Sequence, residues 1–574
     1  MEQLKPKLFW VMKDYTREQF VKDVISGIIV AIIALPLSMA LALASGVEPQ
    51  LGIYTAIIAS IVTTFLGGSR VQITGPTAAL ATMVAGVVAE FGMNGLIVAT
   101  IMAGIFLVVM GFFRLGNLIK FIPYTITLGF TAGIAFMIFV GQIASFIGVD
   151  TRGYNGPTIE TIDKLKALFS CIETFNPVAL VIGVISLAIL IIWPKINNKI
   201  PSYLVVVIIA SAIVKIGKID SVNTIGKLYP NLSGELPKFS VPSFSFDLIE
   251  KLLPTAFTIA MLSAIVTLLS AVVTDALIGS KHNSNMELIG QGVGAIVTGF
   301  FGGIPGTGAV ARTTANAKNG ARTPIACLVH SIVLLIMLVL LIPYAKMIPM
   351  PTIGAILFIV SYNMSGIKNI INTVKRSPKS DTITLFVTFF LAIIFDLVVA
   401  IVFGLILACV LFLKRMTEVT EIKGWTYVDQ SQGEENNYME LPKGTLVFEI
   451  TGPLFFGACD KLNYILGNTN VDRIILRMRG VNAMDSTAIH TFDGIIDTCK
   501  KNNITLIFSH VNEQPMSVMR KSGFVEIIGE DNFCENISAS IDRAYELSGE
   551  KKKNIDPKEE EKKNDENIVN KYRL

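Results

Sequence analysis

Two short stretches carry the residues with chemistry to do. One is Gly302 to Pro324, GGIPGTGAVARTTANAKNGARTP, which lies between long apolar runs and is too short, and too polar at its end, to cross a bilayer. Gly303, Pro305, Gly306 and Gly308 keep its opening backbone extended, because proline lacks a donor and glycine adopts non-helical angles at little cost. A short helix is expected to begin near Thr307 to Ala309, with its N-terminus at membrane depth. Such an end offers free N–H groups and the positive pole of the helix dipole, which suit an anion or a polar substrate. Arg312, on the first turn, adds a full positive charge. A matching break occurs at Val71 to Ala81, VQITGPTAALA, where Gly75 and Pro76 open another short apolar run. Interrupted apolar segments at corresponding positions of two halves mark a central binding site in membrane transporters.

Other chemistries find no support. Cys171, Cys327, Cys409, Cys459, Cys499 and Cys534 are scattered without CxxC spacing or paired histidines, which reads as reduced thiols rather than a zinc site or a disulfide framework. There is no Walker motif, no metal cluster and no nucleophile with a nearby base. Neither an enzyme nor an ATP-driven pump is therefore expected, and no cofactor and no nucleic-acid partner.

The elements that must position the two stretches belong to a membrane protein. Of the 574 residues 52% are hydrophobic and only 16% charged. With a mean hydropathy of +0.61, repeated apolar runs of about 20 residues mean many spanning helices. Breaks between runs give about fourteen segments after a short N-terminal piece, 1–20, in which no signal-peptide cleavage site is seen. The first half reads 21–45, 51–67, a short 75–90, 95–113, 121–148, 177–193 and 201–217. The second reads 253–279, 287–302, a short 307–318, 323–345, 350–366, 381–398 and 400–414. An odd number of spans per half makes the two repeats enter the membrane from opposite sides.

Loop charges agree with that count. With a cytoplasmic N-terminus, the inside loops carry Arg70, Arg114, Lys120, Lys195, Lys199, Lys281, Lys318, Arg322, Lys368, Lys375, Arg376, Lys379, Lys414 and Arg415. The loops assigned outside are short or mix signs, which is the positive-inside bias. An even count returns the C-terminus to the cytoplasm. The transmembrane domain is expected over 21–416. A soluble α/β domain follows over 435–548, with strands at Thr445 to Ile450, Arg473 to Met478 and Thr505 to Ser509, and helices at Ala458 to Leu466, Ser486 to Cys499 and from Pro515 to Lys521. The tail, 549–574, is almost free of apolar residues and reads as disordered.

From about Phe20 to Leu547 the sequence resembles the SulP sulfate-permease family, called solute carrier family 26 in animals. The matching segments are ALPLSMALALASGVEPQLGIYTA (Ala34 to Ala56), QITGPTA (Gln72 to Ala78), SKHNSNMELIGQG (Ser280 to Gly292) and PGTGAVARTTANAKNGARTP (Pro305 to Pro324). MDSTAIHTFDGI (Met484 to Ile495) is similar to a STAS domain, the usual C-terminal partner in that family. The resemblance implies an α-helical polytopic membrane protein of seven-plus-seven inverted repeats with a cytoplasmic STAS domain. It also implies a core (segments 1–4 and 8–11) moving against a gate (5–7 and 12–14), homodimers in a bacterial inner membrane, and a small anion as substrate. Carried over residue by residue, the substrate site falls on Leu37, Leu41, Thr74, Gly75 and Thr77 in the first half. In the second half it falls on Ala309, Val310, Ala311 and Arg312.

One departure concerns coupling. Many bacterial members carry Glu or Asp where this chain has Val266, and in the cyanobacterial bicarbonate branch that acid and a hydroxyl at the position of Val310 help hold sodium. Neither group is present here, although Ser270 keeps a hydroxyl one turn beyond Val266. Sodium coupling through that site is not expected, while uniport, exchange or coupling through another group stay open. The alternative readings are a nucleobase transporter of the same fold, an anion channel, and a membrane scaffold whose STAS domain binds a cytoplasmic protein. Among other polar residues, Asp275 reads as a loop anchor, Glu90 and Asp396 as solvated segment ends, and His282 and His330 as isolated structural residues. Gly129, Gly133, Gly141 and Gly404 read as helix-packing positions. In the STAS stretch, Asp485 and Ser486 resemble the turn phosphorylated in anti-sigma-factor antagonists, although Ser486 also suits an ordinary N-cap.

Overall fold

The computed structural model describes residues 4–117, 123–154, 161–197, 200–230, 232–395, 397–425, 441–463 and 471–550. Lys120, Lys199 and Asp396, the end of the expected Ala458 to Leu466 helix and nearly all of the expected tail lie outside them. The chain forms two compact units, Met1–Ile406 and Leu407–Leu574, with the division falling inside the last helix of the membrane part.

After a short α1 (Lys7–Val11), the first half of the membrane unit runs α2 (Arg17–Ala44), α3 (Pro49–Leu66), β1 (Thr74–Gly75), α4 (Ala78–Phe112), α5 (Tyr124–Ile147), α6 (Thr161–Ser170), α7 (Pro177–Ile196), α8 (Ser202–Ile216) and a single turn α9 (Ile225–Leu228). The second half runs α10 (Phe246–Ile278), α11 (Ser284–Phe300), β2 (Thr307–Gly308), α12 (Val310–Lys318), α13 (Ile325–Ala345), α14 (Met350–Ser365), α15 (Ile367–Arg376), α16 (Lys379–Ile394) and α17 (Leu397–Val419). Each of the fourteen expected segments falls on a helix, with α4 supplying two. Gly92 (φ 68°, ψ −170°) breaks α4 where the reading separated 75–90 from 95–113, and Glu90 is exposed beside that break. The half-helix α12 starts at Val310, with Ala309 as its N-cap.

The helices pack into two groups. α2, α3, α4, α10, α11, α12 and α13 contact one another, while α5 packs on α14 and α16, and α7 on α8 and α14. The first group holds segments 1–4 and 8–11, which the resemblance assigned to the core, and the second holds segments 5–7, 12 and 13 of the implied gate. Tight crossings rest on small residues: a Cβ on Gly104 would lie 2.6 Å from the Gly292 carbonyl, and one on Gly129 2.3 Å from that of Leu385. Gly133 and Gly404 likewise face Ala392 and Thr388, but Gly141 differs, because what lies over it is the stem of Lys164. Large apolar side chains stand exposed on the outer helices, among them Ile192, Ile208, Ile336, Phe390 and Phe403, as lipid contact requires. The amphipathic α6 and α15 were not anticipated; they are short, charged and lie between spans.

The second unit contains a sheet in the order β3 (Glu421–Trp425), β4 (Thr445–Thr451), β5 (Arg473–Gly480), β6 (Thr505–Ser509), β7 (Phe533–Cys534). β4 to β7 are parallel and β3 is antiparallel to β4. Its helices are α18 (Asp460–Asn463), α19 (Ser486–Lys501), α20 (Glu513–Lys521), α21 (Phe524–Ile528) and α22 (Ile537–Ser548). Phe492, Phe508 and Phe524 pack edge-to-face at the core of this domain. The edge strand β3 lies in a stretch the sequence reading left without a strand.

Candidate functional site

The two interrupted stretches meet. Thr74 pairs with Gly308 and Gly75 with Thr307 in an antiparallel two-residue ribbon, and a half-helix leaves from each strand. Extended backbone at membrane depth must find partners within the protein, since an unsatisfied group in hydrocarbon costs several kcal/mol. Neighbouring helices supply them. Ser60 Oγ on α3 donates to the Thr74 carbonyl (2.6 Å). Gln291 Nε2 on α11 donates to the Gly306 carbonyl (2.8 Å), and Thr74 Oγ1 donates to Gln291 Oε1 (3.3 Å). Thr267 Oγ1 on α10 accepts from the Gly308 N–H (3.0 Å), while its carbonyl accepts from Gln72 Nε2 (3.1 Å). The Ala309 N–H donates to the Ile73 carbonyl (2.8 Å), the Ile73 N–H to Thr313 Oγ1 (3.0 Å), and Asn316 Nδ2 to the Val71 carbonyl (3.0 Å). The approach is so close that a Cβ on Gly308 would lie 1.5 Å from Gln72 Nε2. Sequence reading quoted Gln72, Gln291 and Asn316 only inside motifs and gave no role to Ser60 or Thr267. The available signal was an amide or hydroxyl inside an otherwise apolar run.

The half-helices begin without side-chain caps. Thr77 and Ala309, their N-caps, make no capping hydrogen bond, whereas Thr16, Ser245 and Asn283 cap α2, α10 and α11. The N–H groups of Ala78 and Ala79, and of Val310, Ala311 and Arg312, have no acceptor among the described residues. Thr77 is engaged elsewhere, its Oγ1 accepting from Thr307 Oγ1 (3.0 Å). Arg312 is 1% exposed and crosses from the second half-helix to the first: Nη2 donates to the Pro76 carbonyl, Nη1 lies 3.4 Å from Ser38 Oγ, and Nε has no partner. Its guanidinium rests on Gly75, where a Cβ would come within 2.6 Å of Nη1. No ion pair compensates it among the described residues. Inserting arginine at the centre of a spanning helix costs about 2.5–3.5 kcal/mol; hydrogen bonds from its charged guanidinium, at roughly 1.5–3 kcal/mol each, offset that cost without neutralising the charge. The site is thus left with positive potential to spare.

Leu37 and Leu41 flank Ser38 on α2 and are buried, as are Thr74, Gly75 and Ala309; Thr77 and Val310 are half-buried and Ala311 is exposed. Val266 is half-buried on α10, one residue before Thr267, and Ser270 Oγ is buried without a partner. Asp275 anchors its loop, accepting from Ser280 Oγ, the His282 N–H and His282 Nδ1 (2.6, 2.6 and 2.7 Å). His282 is therefore not isolated: it bridges Asp275 and Ser284. Two buried carboxylates escaped notice. Asp23 accepts from Gln19, Tyr15, Thr323 and the Arg322 N–H, and Glu287 accepts from the Gly68 and Ser69 N–H groups, so Asp23 holds the loop after the second half-helix and Glu287 the loop before the first break. In the second unit, Asp485 and not Ser486 is the N-cap of α19, accepting from the Ala488 N–H (3.0 Å); a carboxylate there also gains from the helix dipole. Ser486 is exposed at the first helical position.

A bundle of inverted repeats with crossed, interrupted segments at its centre is the architecture of a membrane secondary transporter. Residues 20–388 match the sulfate permease family and residues 438–544 a STAS domain. The chain is 37% identical over 531 residues, 91% of its length and 98% of the relative's, to the Bacillus subtilis protein named "Putative sulfate transporter YvdB". It is 31% identical to the bicarbonate transporter BicA of Picosynechococcus sp., over 76% of this chain and 78% of that one. Among solved structures, SLC26A9 superposes with a TM-score of 0.83 at 18% identity over 95% of this chain and 93% of that one. The transmembrane domain of a cyanobacterial BicA gives 0.60 at 27% identity over 69% and 98%. The chain belongs to the sulfate permease family and carries a C-terminal STAS domain.

Proposed function

We propose that the chain moves small anions across the bacterial cytoplasmic membrane as a secondary transporter and not as an enzyme. The observation that carries this reading is the pair of uncapped half-helix N-termini facing one another beside a buried, uncompensated Arg312. The anion is held by the free N–H groups of Ala78, Ala79, Val310 and Ala311, with Thr74, Gly75 and Thr77 shaping the first half of the pocket and Leu37 and Leu41 excluding water. Arg312 supplies the field. Movement of the core helices against the gate exposes this pocket to each side in turn, in a dimer whose termini are cytoplasmic. The charged loops support that orientation, and relatives named as sulfate and bicarbonate transporters support the substrate class. With Val266 in place of an acid, transport runs without sodium at that position. The exposed Ser486, beside the Asp485 cap, is the regulatory position of the STAS domain.

The test is uptake of labelled sulfate, bicarbonate and a dicarboxylate into proteoliposomes, with sodium and proton gradients imposed or absent. One of these anions moves without a sodium gradient, and Arg312→Ala loses that uptake. Uptake of a nucleobase in place of all three anions, or currents beyond carrier turnover, overturns the reading.

A further inference from the structure

A second positive group stands apart from the half-helices. At the end of the bundle distal to the N-terminus, a cavity of about 480 Å³ lies between the core helices α2 and α4 and the gate helices α5 and α14. This is within the volume range of small-ligand sites, roughly 300–1,000 Å³. Its wall on α4 begins at Ala81 and Thr82, one turn beyond the first half-helix N-terminus, and its wall on α2 at Leu43. Lys164 enters from α6, a helix outside the spans, and lies across Gly141 of α5 with Nζ 3.7 Å from where a Cβ would stand. Its neighbours on α6 are already matched, Lys166 with Asp163 at 3.3 Å. Lys164 itself has neither a hydrogen bond nor an ion pair among the described residues, and burial alone holds its ammonium below the ordinary lysine range. Gln142 and Ser145 on α5 line the same space with no hydrogen-bond partner among the described residues, and Thr82 Oγ1 is buried and likewise unbonded. Tyr229 also lines the cavity, and the charge of Glu48 is felt at its hydroxyl; the Glu48 carboxylate is not among the lining groups and accepts from Gln50 Nε2 (2.8 Å).

We propose that this cavity is an anion-capture station on the route to the half-helices, in which Lys164 attracts the anion and Gln142, Ser145 and Thr82 hydrogen-bond it before it moves down. The inference rests on the anion-transport reading. A lysine desolvated against a glycine, with no carboxylate in ion-pair reach among the described residues, is the arrangement that raises local anion concentration and entry rate, an effect weakened by salt.

The experiment compares wild type with Lys164→Ala, Lys164→Glu and Lys164→Arg as full-length protein. Initial uptake of labelled sulfate, bicarbonate and a dicarboxylate is measured against anion concentration at low and high ionic strength. Lys164→Ala is expected to raise the half-saturating concentration about 3- to 10-fold at low salt, with a maximal rate within about twofold of wild type, the order expected of steering by one charge. Lys164→Glu raises it further, Lys164→Arg restores it, and the wild-type salt dependence is flattened in Lys164→Ala. Unchanged half-saturation in both the alanine and glutamate variants overturns the station. If wild type moves none of these anions, the transport reading fails. The station is then read from thermal protection of the purified protein by sulfate, bicarbonate and the dicarboxylate. A comparable shift of the protection midpoint in Lys164→Ala upholds it, and equal midpoints, or no protection of wild type, overturn it.

Discussion

The two half-helices share a backbone plan and divide the chemistry between them. Each follows a two-residue strand, each starts without a side-chain cap, and the strands pair antiparallel across the repeat. The second carries the charge, Arg312, and is pinned by Thr313 and Asn316 to the strand leading into the first. The first carries no charge before Glu90 at its far end; it receives the guanidinium on Gly75 and the Pro76 carbonyl, and then runs on as α4 past the cavity that holds Lys164. Repeat symmetry therefore sets where free N–H groups point, and departures from symmetry set the field. One arginine serves both ends because its side chain crosses the ribbon.

The sharpest test of that division is Arg312→Ala. Uptake is expected to fall about 10- to 100-fold, the equivalent of one charged hydrogen bond at about 1.5–3 kcal/mol, while the purified protein stays monodisperse. A variant that aggregates instead makes Arg312 a structural strut. The glycines separate the halves further. Gly308→Ala forces a methyl onto the locked Gln72 amide and against the α10 backbone, 3.2 Å from the Thr267 Cα. It should cost about 1–3 kcal/mol and lower the thermal midpoint. Gly75→Ala presses on the guanidinium, so it should reduce uptake with a smaller loss of stability; equal stability losses in the two variants would abolish the contrast.

Smaller effects probe the supports. Thr267→Val leaves the Gly308 N–H unpaired and should destabilise by about 1–3 kcal/mol, read as a lower melting point in detergent. The soluble unit supplies a control for capping: Asp485→Ala should cost about 1 kcal/mol and Ser486→Ala only a few tenths, since the cap is Asp485. At the half-helices Thr77→Ala removes no cap but takes the acceptor of the buried Thr307 hydroxyl, and should cost about 0.5–1.5 kcal/mol, the worth of that one hydrogen bond.

The segments were legible because apolar length is a local property: fourteen runs, the break at Gly92 and the glycine–proline interruptions all appear in order along the chain. The parallel strands at Thr445, Arg473 and Thr505 were legible for the same reason. The short edge strand β3 was not, since only its pairing with β4 makes Glu421–Trp425 a strand.

Glycine and proline at 75–76 and 303–308, together with the alternation of basic loops, determine from sequence alone that two helices start at mid-depth and which residues lie at their ends. The tertiary structure decided what those ends face. Hydrogen bonds from the interrupted backbone to Ser60, Thr267, Gln291 and Asn316 span distances along the chain that no periodicity encodes, and they exist because extended backbone in hydrocarbon must be satisfied by whichever helix packs beside it. The reach of Arg312 to Pro76, and of Lys164 over Gly141, follows from the same packing and has no signature in spacing.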